Sequence, residues 1–121
     1  MSIRLAAITV DCDDAATVAR FWSAALDRPL AADPPPSEDI ALIGDLDGTA
    51  PGAPNWLFCK VPEAKTAKNR MHVDMVAADR QAEVARLVAL GATHVADKDE
   101  WGHAWTVLQD PEGNEFCVAS S

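Results

Sequence analysis

Cysteine is scarce in this chain: the 121 residues hold three, Cys12, Cys59 and Cys117, and no two form a CxxC pair. So odd and scattered a set excludes a disulfide framework and a zinc knuckle, and it points to a reducing compartment, the cytoplasm. No apolar stretch approaches the roughly 20 residues of a membrane-spanning helix. The apolar run before Asp11, "LAAITV", is too short for a secretory core. Glycine-rich phosphate loops, a GxSxG elbow and low-complexity tracts are all missing. Basic residues are few, 10 against 19 acidic, for a formal charge of −9. Such a surface repels phosphate, which excludes nucleic acid and anionic membranes as partners and favours a cationic ligand.

With 49% hydrophobic and 24% charged residues, the chain has the balance of one globular domain, 1–121, long enough to bury a core. Its most informative feature is an internal repeat. "ATVARFW" at 16–22 and "AEVARLV" at 82–88 share Ala, Val, Ala and Arg in register. Each follows an alternating, strand-like run, "LAAITVD" or "RMHVDMV", and an aspartate placed to cap a helix, Asp14 or Asp79. Val18, Phe21, Trp22 and Ala25 form one apolar helix stripe, and Val84, Leu87 and Val88 the other, with Gly91 at a natural C-cap.

Further strands are expected at 40–44 and 55–61, with a short one near Leu30, and at 93–97, 104–109 and 115–119. "DPPPSED", "DGTAPGAP" and "DPEGN" are the turns and loops. The halves are module one, 1–61, a linker, 62–69, and module two, 70–121. Lys65, Lys68 and Arg70 give the linker region a basic character, with Arg70 expected to point inward.

Alternation assigns faces. Ile8, Val10, Met71, Val73, Met75, Phe116 and Val118 should pack under the helices. Ala7, Thr9, Asp11, Arg70, His72, Asp74, Val76, Glu115, Cys117 and Ala119 should line the other face. Polar groups converging there are what a ligand cleft needs, the alternative being a half-solvated sheet. "EWGHAW" sets Trp101, His103 and Trp105 at the cleft mouth, where tryptophans stack on planar or cationic ligands or cap the core. Trp22 is core.

A repeated βαβββ unit, with "DCDDAATVARFW", "VPEAKTAKNRMHVDM" and "DPEGNEFCV" in that order, resembles the vicinal oxygen chelate superfamily of glyoxalases, bleomycin-resistance proteins and extradiol dioxygenases. The resemblance implies an α+β fold: two βαβββ modules forming a curved mixed sheet with a concave cleft, helices on the convex side. It also implies divalent-metal ligands at four positions. His72 matches the third. The first-strand position falls on Ala7, or on Ala6 if the register slips by one; 55–61 holds no carboxylate, histidine or glutamine, leaving Cys59 and Lys60 as its only candidates; and the last-strand glutamate is replaced by Cys117, with Glu115 two residues early. A catalytic divalent site needs about three protein ligands, so the cleft is expected to hold no metal. If one is present (Zn, Ni, Mn or Fe), its ligands are His72, Glu115 and Cys117. Cys117 itself reads as a small buried hydrophobe.

The functional expectation is small-molecule binding or sequestration of a cationic or aromatic ligand by Thr9, Asp11, Arg70, His72, Asp74, Trp101, His103, Trp105, Glu115 and Cys117, in a homodimer whose sheet edges are covered by the partner copy. The enzymatic alternative is a lyase, isomerase or dioxygenase using an atypical metal site or His72 and Asp74 as catalytic acid and base. A third possibility, from another class, is a dimeric interaction module with a vestigial cleft.

Overall fold

Residues 3–45 and 54–121 are described by a computed structural model, in which the two copies of the repeat fold as separate units, Met1–Ala64 and Lys65–Ser121. Of the loop "DGTAPGAP", all but Pro54 lies outside the described residues. In the first unit, strand β1 (Ala7–Cys12) leads into helix α1 (Ala15–Leu26), then β2 (Ile40–Ile43) and β3 (Asn55–Lys60). Strand order is β1-β3-β2, with β1 parallel and β2 antiparallel to β3. The short strand expected near Leu30 is a single bridge, Leu30 to Ile43.

Local chemistry starts and stops the helix where the repeat places it. Asp14, in extended conformation, accepts from the Thr17 N–H, and Asp27 ends α1 in the left-handed region. Val18, Phe21 and Trp22 are buried as the stripe requires, and Trp22 stacks on Trp56 at 4.9 Å, with Phe21 edge-on at 5.2 Å. Because Trp56 faces α1, so do its register partner Ile8 and the alternate pair Val10 and Phe58. Thr9 and Asp11 therefore stand, exposed, on the opposite face with Leu57 and Cys59.

The second unit comprises β4 (Asp74–Ala77), α2 (Arg80–Leu90), β5 (Thr93–Glu100), β6 (His103–Gln109) and β7 (Glu115–Ser120), in the order β4-β7-β6-β5. Asp79 caps α2 by accepting from the Ala82 N–H, and Gly91 closes it at φ 126°. The α2 stripe is thinner than expected: Leu87 is buried, whereas Val88 is 44% exposed. "DPEGN" folds around the buried Asp110 carboxylate, which accepts from the Glu112 and Asn114 N–H groups. Each unit thus sets one helix on one face of a mixed sheet, and the fold class is α+β.

Two expectations change. Strand β4 begins at Asp74 rather than at Arg70, so Met71 lies before the ladder and is 88% exposed instead of packing under a helix. Strand β5 runs three residues beyond Asp97, because Trp101 and Gly102, both at positive φ (53° and 76°), close a two-residue hairpin whose twist lets pairing continue to Glu100 and His103.

Gly44 follows β2 at φ 102°, and a Cβ added there would lie 1.8 Å from the Asn55 side-chain oxygen. Asn55 is buried and donates to the Ala6 carbonyl, so it has little room to yield. Gly44→Ala should destabilise the protein by about 1–3 kcal/mol, the usual cost of a strained backbone position. A thermal melt that matches the wild type would contradict this packing.

Candidate functional site

The open face of the second sheet follows from register. Asp74 pairs with Cys117 in the parallel β4–β7 ladder, Val107 pairs with Cys117 across β6–β7, Trp105 with Ala119 and Gln109 with Glu115. Paired residues share a face, so these side chains project together, away from the side on which Phe116, Val118 and Leu108 are buried and which α2 covers. Cys117 is held in the ladder by its N–H, which donates to the Val73 carbonyl at 3.0 Å.

At one edge of this face His72, Asp74 and Cys117 converge, each offering a ligand atom within 4.8 Å of the other two. His72 Nε2 lies 3.5 Å from an Asp74 carboxylate oxygen. Two residues of strand backbone rise about 6.6–6.8 Å, and the ends of the two side chains reach toward each other across that gap. Burial pushes the Cys117 thiol above its ordinary pKa, and the charge and hydrogen bond of Asp74 raise it further, against a smaller opposing effect of Lys68. The thiol is therefore protonated near neutrality and is a poor nucleophile on its own.

Glu115, expected beside His72 and Cys117, does not join them. Its carboxylate accepts from Lys65 Nζ at 2.9 Å and from the Asn69 N–H at 2.6 Å. Burial opposes its charge, but these donors prevail and hold the carboxyl below the usual glutamate range. Lys65 also donates to the Ala67 carbonyl, so the segment expected as a solvated linker is fastened to the sheet through Lys65 rather than through Arg70, which is exposed. Beside it opens a cleft of about 540 Å³, lined by Lys65, Lys68, Val95, Val107, Gln109 and Glu115 among others. Val107 and Gln109 were legible in the alternation of β6; Lys65 and Asn69 carry no pattern that marks them.

At the other end of the face, Trp101 stacks on Trp105 with ring centroids 6.3 Å apart and planes 15° from parallel. Trp101 is 85% exposed. His103 is exposed on the same face of β6 as Trp105. Thr9 and Asp11 belong to the first unit.

A family model described as a glyoxalase-like domain matches residues 7–119. The chain belongs to this glyoxalase-like family, and with it to the vicinal oxygen chelate superfamily. Solved structures agree on the fold. A glyoxalase/bleomycin resistance protein/dioxygenase family enzyme from Burkholderia phytofirmans PsJN is 15% identical, with a TM-score of 0.72 and 98% of each chain covered. A glyoxalase-related enzyme from Fulvimarina pelagi is 17% identical (TM-score 0.69, covering 98% of this chain and 88% of that one). A lactoylglutathione lyase from Agrobacterium tumefaciens is 15% identical (TM-score 0.64, covering 100% and 95%). No curated protein matches the chain. Among the described residues no helix is long and apolar enough to cross a membrane.

The fastening of Glu115 carries a pH signature. A carboxyl held low in the folded protein contributes stability that is complete above its unfolded pKa, roughly 4.3, and is lost as pH falls through the lower folded value. Glu115→Gln should melt lower than the wild type at pH 7, with the gap narrowing from about pH 5 downward. A gap that stays constant to pH 3 would show that the charge of Glu115 is not what binds the segment.

Proposed function

We propose that this glyoxalase-like protein binds, and holds, a small planar molecule of cationic or aromatic character on the open face of its second sheet. The observation that carries this reading is Trp101. A bulky residue is disfavoured at positive φ, where Asn, Asp or Gly are the usual occupants of such a hairpin tip. Trp101 nevertheless occupies that conformation at φ 53° with 85% of its surface in water. Neither backbone preference nor burial accounts for the residue, whereas an aromatic platform with Trp105 does, since an indole face attracts planar cations. Farther along the same face the cleft offers apolar contact at Val95 and Val107; Lys65, Lys68, Glu112 and Glu115 in its lining balance, so the preference for positive charge comes from the overall −9. A cytoplasmic homodimer is part of the same proposal, because β4 and β5 are sheet edges and Val76 on β4 is 68% exposed.

One observation favours a second, enzymatic reading. His72 and Asp74 lie 3.5 Å apart beside the cysteine, an arrangement able to move a proton or to support an atypical metal centre in a lyase, isomerase or dioxygenase reaction. Turnover of a candidate substrate that is lost in both His72→Ala and Asp74→Asn would put this reading first.

The binding reading is tested with proflavine, a planar aromatic cation, by calorimetry. Trp101→Asn should weaken binding by about 0.5–2 kcal/mol, while melting no lower than the wild type because Asn tolerates the left-handed backbone. Undiminished binding in Trp101→Asn would contradict it.

A further inference from the structure

The superfamily's metal centre, as the resemblance implies it, draws ligands from both halves of the chain, but here Ala7 occupies the first-strand position and 55–61 lacks the expected acid, with Cys59 and Lys60 in its place. A different donor set exists within the second unit. We propose that His72, Asp74 and Cys117 alone form a three-ligand site for a thiophilic divalent cation of the zinc class, with a fourth position open to water or an incoming donor.

Chemistry and geometry agree on this. Imidazole nitrogen, carboxylate oxygen and thiolate sulfur are the three donor types that zinc takes, at about 2.0–2.3 Å. Tetrahedral bonds of that length set neighbouring ligand atoms about 3.3–3.6 Å apart. His72 Nε2 and the Asp74 oxygen are 3.5 Å apart, one edge of such a tetrahedron, and the sulfur is within 4.8 Å of both. The site closes by a shift of up to about 1.2–1.5 Å along its remaining edges. The parts that must move are free to do so, since the side chains of His72 and Asp74 are 38% and 67% exposed. The fixed part is Cys117, anchored mid-strand and opposite Asp74. The sulfur donor selects zinc or cobalt over magnesium, calcium and manganese, and binding replaces the thiol proton with the cation. The proposal departs from the metal-free cleft expected on ligand count, because that count passed over Asp74, whose place in the ladder puts it beside the cysteine. It shares a face with the binding reading but does not depend on it.

Cobalt(II) is the probe. Chelator-treated, reduced protein titrated with cobalt chloride should develop a near-ultraviolet thiolate-to-cobalt band and tetrahedral visible bands that saturate at one equivalent and vanish on adding one equivalent of zinc. Cys117→Ser should abolish the near-ultraviolet band, and Cys59→Ser should leave it intact. His72→Ala, a change at a partly exposed side chain that leaves the fold standing, should weaken cobalt at least about tenfold, since even groups behind the direct ligands cost that much; Asp74→Asn should do the same. The proposal is overturned if the wild type shows no near-ultraviolet band, if the band survives in Cys117→Ser, or if His72→Ala binds cobalt as tightly as the wild type. A wild type that gives the cobalt spectrum but binds no proflavine would instead count against the binding reading alone.

Discussion

The parallel pairing of β4 with β7 is the constraint on which the candidate site depends. Parallel strands about 4.8 Å apart align paired side chains on one face, and this ladder sets Asp74 opposite Cys117. A slip of one residue would turn Cys117 toward the helix and bring Phe116 into the open, exchanging a fully buried aromatic for a thiol. Burial of Phe116, Val118 and Leu108 beneath α2 therefore fixes the register, and the register in turn fixes which polar groups meet. The apolar side of the sheet determines the chemistry of the other side.

That face holds three groups along one sheet: the His72–Asp74–Cys117 cluster, the fastened Lys65–Glu115 pair beside the cleft, and the Trp101–Trp105 stack. Their electrostatics differ. Burial, reinforced by Asp74, raises the pKa of the Cys117 thiol, while the Asn69 N–H and Lys65 hold the Glu115 carboxyl below the usual range. One acidic residue is thus spent on tying down the chain and another is left facing the cysteine, so the two carboxylates cannot exchange roles.

Much of this was legible in the sequence, and the reasons are physical. Helix caps at Asp14, Asp79 and Gly91 follow from short-range backbone chemistry, and the sharing of a face by Asp74, Glu115, Cys117 and Trp105 follows from period-two alternation. What failed depends on contacts between segments far apart in the chain. Alternation through "RMHVDMV" continues past the point where β7 stops offering partners, so Met71 was placed under a helix it never meets. The sequence pattern sets Glu115 beside His72 and Cys117 as a ligand-binding acid, because nothing local announces Lys65, some 50 residues earlier, as its partner. The left-handed turn at Trp101 was hidden because tryptophan is not a residue that advertises positive φ.

The central claim is that ligand meets this protein on the face of the second sheet opposite α2. Methyl-resolved NMR during a proflavine titration tests it most directly, because alternate valines of the same sheet report on opposite faces. Val76 and Val107 methyl signals should move and saturate together, while those of Val118 and Leu108 stay in place. Movement of Val118 and Leu108 with Val76 and Val107 unchanged would contradict the account.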